Sequence, residues 1–203
     1  MRILDFFGRN KIPHAKLTDA DNPSPERAAF AENVLLIIIP SVEKFGFKRT
    51  KAEIKTYSTT IVFRKEKQYI KISSTSYPTD YPYYYNIILG EGDSDDFVEY
   101  DWNSVSLFEL AKVINPLTNV NSYNFPVGDP KFADTINLSI AKTNKDLLRY
   151  GSSFLNGDLS VFYHARKKVN ESREPYKISK IGDNGTYHTA YDSKSAEQKK
   201  KYS

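Results

Sequence analysis

YPTDYPYYYNIILGEGDSDDFVEYDW, Tyr77 to Trp102, is the stretch on which the fold turns. Tyr83 to Leu89 is apolar at successive positions, which predicts a strand covered on both faces at the centre of a sheet. Pro78 and Pro82 keep the preceding connection out of a ladder. Gly90-Glu91-Gly92 turns the chain, and a run of carboxylates follows. Phe97 to Tyr100 reads as loop or short edge strand.

Upstream of this stretch the pattern builds a meander. Glu53 to Arg64 alternates, with Tyr57, Thr59, Ile61 and Phe63 on one face. Lys65-Glu66-Lys67 is a charged hairpin turn, and Gln68 to Ser76 places Ile70 and Ile72 together. The short connections make these strands antiparallel. Before them lies a helix. Ser24 suits its N-cap and Pro25 its first position, where the missing N–H costs nothing. Phe30, Val34, Ile37, Ile38 and Phe45 recur at helical spacing. Pro40 is expected to kink or interrupt the helix, and Gly46 to stop it, with Phe47 folding back.

Downstream, the pattern is helical. Asp101 or Asn103 caps a helix over Ser104 to Ile114. Asn115 to Asp129 is a long loop, of the kind that often binds ligands or partners. Asp129-Pro130 starts a helix that ends at Tyr150-Gly151. Phe154-Leu155 packs across that break, and Asp158 caps a helix reaching about Glu171. Tyr176 to Ile181 and Thr186 to Tyr191 alternate around Gly182-Asp183-Asn184-Gly185, a hairpin signal. Ser193 or Ser195 caps a last polar helix through Lys201.

The expected fold class is α+β: an N-terminal helix, an antiparallel β-meander of three to four strands, covering helices and a C-terminal β-hairpin extension. Three segments are expected: residues 1–22 as an N-terminal segment and linker, 23–172 as one domain, and 173–203 as a basic tail. Within the first, MRILDFFGRNK can dock its Phe pair on the domain or lie at a membrane interface. The chain has no cysteine, so disulfides and thiolate metal sites are excluded. The longest apolar run, Val34 to Ile39, falls far short of the roughly 20 residues of a membrane span. The N-terminus lacks the apolar core of a signal peptide, so the cytoplasm is the expected location.

Charge is segregated along the chain. Met1 to Lys16 carries +3, Leu17 to His164 carries −4 and Ala165 to Ser203 carries +5. A net charge of +4 therefore hides an acidic middle between basic ends. That middle offers no basic face to track phosphates, so nucleic acid is disfavoured as a partner.

Several motifs recur together. A helix with Pro40 and a Gly46-Phe47-Lys48 turn precedes a strand ending in Phe63-Arg64 and then Asn86-Ile87-Ile88-Leu89. Leu147-Leu148-Arg149-Tyr150-Gly151 and Phe154-Leu155 follow. From Phe30 to Val169 this order resembles uncharacterised small bacterial domains of the immunity type, from toxin–immunity systems. The resemblance lies in core and capping residues. It implies an α+β fold and a partner-binding role, and it assigns no catalytic residue.

The candidate site is the carboxylate run with its flanking aromatics: Tyr81, Glu91, Asp93, Asp95, Asp96, Glu99, Asp101 and Trp102. Such a patch steers a basic protein partner; the plainer reading is a solvated loop. Oxygen ligands so close could hold Ca²⁺ or Mg²⁺, but no Gly sits where an EF-hand requires one. Tyr77, Tyr81, Tyr83, Tyr84 and Tyr85 suit interface anchors or sheet cover. Gly90-Glu91-Gly92 lacks a third glycine and a following helix, which argues against dinucleotide binding. His14, His164 and His188 are far apart in the chain. Glu53-Ile54-Lys55 has the Glu-x-Lys spacing of metal-dependent nucleases. The expected function is non-enzymatic protein binding, of immunity or accessory type, with no cofactor. The alternative is a metal-dependent hydrolase or nuclease that uses Glu53 with the acidic loop.

Overall fold

The computed structural model describes residues 17–18, 25–55, 58–75, 85–94, 97–119, 132–181 and 184–203. The elements in order are β1 (Leu17–Thr18), α1 (Pro25–Glu43), β2 (Lys48–Ile54), β3 (Ser58–Lys65), β4 (Gln68–Thr75), β5 (Tyr85–Glu91), α2 (Phe97–Trp102) and β6 (Ser104–Ser106). There follow α3 (Leu107–Ile114), α4 (Phe132–Tyr150), α5 (Ser152–Asn156), α6 (Ser160–Glu171), β7 (Lys177–Ile181), β8 (Tyr187–Tyr191) and α7 (Ser193–Tyr202). The fold is α+β. The main sheet runs β1-β2-β3-β4-β5-β6, antiparallel except at β1, and β7-β8 form a separate hairpin.

Alternation in β3 and β4 puts Ile61, Phe63, Ile70 and Ile72 on one face, in direct register across the ladder. Ile87 and Leu89 of β5 extend the same apolar row. Helices α1 and α4 lie over that face through Phe30, Val34, Ile38, Ile136, Ile140 and Leu147. The Phe30 ring packs on Tyr85 at 5.4 Å. The Tyr85 hydroxyl, buried under α4, bonds Ser139 at 2.9 Å and Thr143 at 2.7 Å. Phe47, Phe154 and Phe162 close the other end of the core.

Several expectations are corrected. The single strand over Glu53 to Arg64 is two strands, because Lys55 N–H donates to the Ser58 carbonyl at 2.7 Å and closes a turn. Lys48–Ile54 carries mostly charged side chains and gave no alternation to read. β5 is one strand in from the edge rather than central, with Asn86 on its far face exposed. Phe97–Trp102 is a helix. Ser104–Ser106 is the strand β6, and the α3 cap is Ser106, whose hydroxyl accepts the Glu109 N–H at 3.1 Å.

α1 runs through Pro40 unbroken. The carbonyl that proline deprives of its helical donor is that of Leu36, on the solvent side of the helix, where it is open to water. Gly46 does stop the chain, at φ +88°. Gly46 N–H bonds Glu43 and Phe47 N–H bonds Val42, the paired bonds of a Schellman end. Asp158 Oδ1 accepts the Ser160 N–H at 3.0 Å as α6 begins. The cap of α7 is Asp192, which accepts the Ser195 N–H at 2.7 Å. Ser24, Tyr57, Asp129 and Pro130, and most of residues 1–22, lie outside the described residues. No described helix is long and apolar enough to cross a membrane.

Candidate functional site

Gly90 and Glu91, expected to turn the chain, belong to β5, which the chain leaves at Gly92, and packing requires both glycines. The Tyr69 ring lies directly over Gly90, where any Cβ would overlap it. Gly92 has φ +135°, and a Cβ there would stand 2.7 Å from Asn103 Nδ2. Tyr69 donates its hydroxyl proton to Asn103 Oδ1 at 2.7 Å, and its ring meets Tyr100 of α2 at 4.5 Å. Burial pushes the Tyr69 phenol far above its ordinary value. Arg64 donates to the Gly92 carbonyl at 2.7 Å and to the Tyr100 hydroxyl. These contacts hold α2 across the end of the sheet, on the face opposite the core.

The C-terminal extension closes over α2. Asn170, fully buried, donates through Nδ2 to the Trp102 carbonyl at 2.8 Å and to the Tyr202 carbonyl at 3.0 Å. Trp102 Nε1 donates to Ser195 Oγ at 3.0 Å, and the same oxygen accepts the Tyr176 N–H. The Arg173 guanidinium lies 4.7 Å from the Trp102 ring and pairs with Asp101, which also accepts the Tyr176 hydroxyl.

The structure therefore sorts the candidate residues. Trp102, expected at the rim of an exposed patch, is 0% exposed and forms the floor under α7. Glu91 accepts from the Tyr163 hydroxyl at 3.1 Å and faces Arg166 at 3.5 Å. Burial, then the Glu91 hydrogen bond, raises the Tyr163 phenol. Glu99 faces Lys201 at 3.7 Å and accepts from the Tyr202 hydroxyl at 3.3 Å. Asp93 is exposed, at a depression of about 480 Å³ that Lys67, Glu99 and Lys201 also line. Asp95, Asp96 and Tyr81 lie outside the described residues, as do Tyr77, Tyr83 and Tyr84. Glu91, Glu99 and Asp101 thus meet this chain's own basic C-terminal third. The partners sequence reading missed are Arg166, Arg173, Tyr176, Ser195, Lys201 and Tyr202. For Arg166, Arg173 and Lys201 a signal was present in the opposed charges of the middle and the end of the chain; for Tyr176, Ser195 and Tyr202 there was none.

What the extension leaves exposed is its hairpin. Tyr187 is 75%, Ile181 65% and Tyr191 50% exposed. Ile181 pairs with Tyr187 and Lys177 with Tyr191, so these side chains share one face. Lys177 Nζ sits 5.6 Å from the Tyr191 ring. Lys180 and His188 pair on the opposite face.

Glu53 lies on β2 with its carboxylate held by Lys55 at 2.8 Å and Lys51 at 3.4 Å. The Lys55 hydrogen bond leads in pulling its pKa below the ordinary value. Among the described residues no group of three or more His, Cys, Asp or Glu side chains could hold a metal ion. Comparison with protein-family models, with curated proteins and with solved structures finds no match.

Proposed function

We propose that this chain is a non-enzymatic protein-binding domain, of the immunity or accessory type, whose contact surface is the β7–β8 arm. The immunity-type role rests on the resemblance in core and capping order. The observation that carries the binding reading is the Ile181, Tyr187 and Tyr191 face, exposed on a hairpin closed at its base by the Asp192 N–H to Tyr176 carbonyl bond. Exposed clusters of large apolar side chains mark interaction sites, and tyrosine supplies contact area at low entropic cost. In this reading the acidic segment anchors the arm, because Glu99 and Asp101 are engaged by the extension that carries it.

Site-specific photo-crosslinking in producing cells tests the reading. A benzophenone side chain at position 187 is expected to give a discrete protein adduct, and one at position 138, exposed on α4, is not. Equal labelling at both positions, or none at 187, overturns it. Divalent-dependent hydrolysis of nucleic acid or ester substrates that disappears in Glu53→Gln would instead establish the enzymatic alternative.

A further inference from the structure

Asp192 N–H donates to the Tyr176 carbonyl at 2.8 Å, which sets the parity of the hairpin ladder. Ile178 with Ala190, and Lys180 with His188, then exchange backbone bonds across it. Lys177, Ser179 and Ile181 turn their N–H and C=O groups outward along β7, and Tyr187, Thr189 and Tyr191 do so along β8. The hairpin is five residues per strand. A ribbon of two strands is marginal in water, and a third strand stabilises it. The main sheet ends in β1, two residues long, and β6, three, each shorter than the five-residue strands of the hairpin.

The charge of the arm selects the occupant. Among its described residues, 177–181 and 184–191, there is no carboxylate; Asp183 lies outside them. Asp192 at its base is engaged as the α7 cap. Lys177 and Lys180 project on opposite faces of β7, each flanked by an isoleucine. Lysine on an open edge opposes pairing with another copy of that edge, but it favours a strand of opposite charge.

We propose that the outer edge of β7 takes up an extended, acidic segment of a partner protein as a third strand. This rests on the protein-binding reading and adds to it a mode and a chemistry. Main-chain bonds to Lys177, Ser179 and Ile181 supply affinity. Two acidic side chains three positions apart meet Lys177 and Lys180, and aliphatic side chains lie beside Ile178 and Ile181.

The test uses the full chain and two fluorescein-labelled peptides, Thr-Val-Glu-Thr-Val-Glu-Thr and its counterpart with Lys for Glu, followed by anisotropy. The acidic peptide is expected to bind at least tenfold more tightly than the basic one. Ser179→Pro removes an outward N–H and no hairpin bond, and is expected to weaken binding about tenfold or more. Thr189→Pro does the same on β8 and is expected to leave affinity within about twofold. Lys177→Glu with Lys180→Glu should invert the preference between peptides. Trp102 emission shows that the body of each variant is folded, and a backbone nuclear Overhauser contact between Ile178 and Ala190 shows that its hairpin persists. Indifference to peptide charge, loss with Thr189→Pro instead of Ser179→Pro, or no binding of the acidic peptide overturns the proposal. Concentration-dependent dimerisation abolished by Thr189→Pro would assign the arm to a second copy, and salt-sensitive binding of a DNA or RNA duplex would assign it to nucleic acid; either overturns it. If the position-187 adduct still forms in those cases, protein binding stands and only the acidic-strand chemistry falls.

Discussion

Gly90 and Tyr69 form one unit. The ring needs the absent Cβ, and its hydroxyl needs Asn103. Gly90→Ala is expected to cost about 1–3 kcal/mol by overpacking, read from urea unfolding. The cost should shrink in the Tyr69→Leu background, since the two positions share one space. Tyr69 and Tyr85 also set an alkaline limit. Burial raises both phenols above their unfolded value of about 10. Each therefore contributes stability that is fully present below that pH. Above it the unfolded chain releases protons that the folded chain keeps, so stability falls as pH rises. Each tyrosine steepens the fall by at most about 1.4 kcal/mol per pH unit, over the range between its unfolded and its folded pKa. Tyr85→Phe is expected to remove one such share of the slope, measured by denaturation between pH 9 and 11, roughly one unit either side of that value. An unchanged slope would mean that Tyr85 ionises as freely in the folded chain as in the unfolded one.

Among the elements, α1 shows how far tertiary packing overrides local preference. Phe30, Ala31, Val34, Ile38 and Val42 are buried against the sheet and α4. That burial outweighs the bond lost at Pro40, whose acceptor faces water. Pro40→Ala is expected to stabilise the protein, by up to about 3 kcal/mol, read as a higher thermal midpoint. No gain, or a loss, would mean that the ring itself packs usefully. The helix start at Pro25 and the Gly46 stop were readable, because a first-position proline and a left-handed glycine are local devices. The strands β2 and β6 were not. Their side chains are charged or small, and only the neighbouring strands give them a place.

For the molecule as a whole, the C-terminal third divides into an anchor and an arm. Replacing residues 177–191 by two glycines joins Tyr176 to Asp192, already hydrogen-bonded at 2.8 Å. It should leave stability within about 1 kcal/mol, because the removed side chains are almost all solvent-exposed. Removing α7 should cost more than about 3 kcal/mol, because Trp102 Nε1 and the Asn170 amide lose buried partners. Trp102 is the only tryptophan, so its emission reports the outcome directly: unshifted in the first variant, red-shifted in the second. A red shift on removing the arm alone would show that the arm helps to cover Trp102.

The amino-acid order carried the α+β class, the alternation of β3 and β4, the hairpin around Gly182 to Gly185 and the segregation of charge. Each of these is written in neighbouring residues: a period, a cap, a turn pair or a run of one sign. The order also drew attention to Glu91 through Trp102, but as a surface for a basic partner. The folded chain brings Arg173 to Asp101, Lys201 to Glu99 and Ser195 to Trp102. Those pairs lie 72, 102 and 93 positions apart. No local pattern encodes contacts at such separation. Opposite charges found each other within the molecule because buried Asn170 and Trp102 position the extension over α2. Lys177, Lys180 and the exposed Tyr187 and Tyr191 lie on the hairpin, which the sequence marked as a hairpin without assigning it a role.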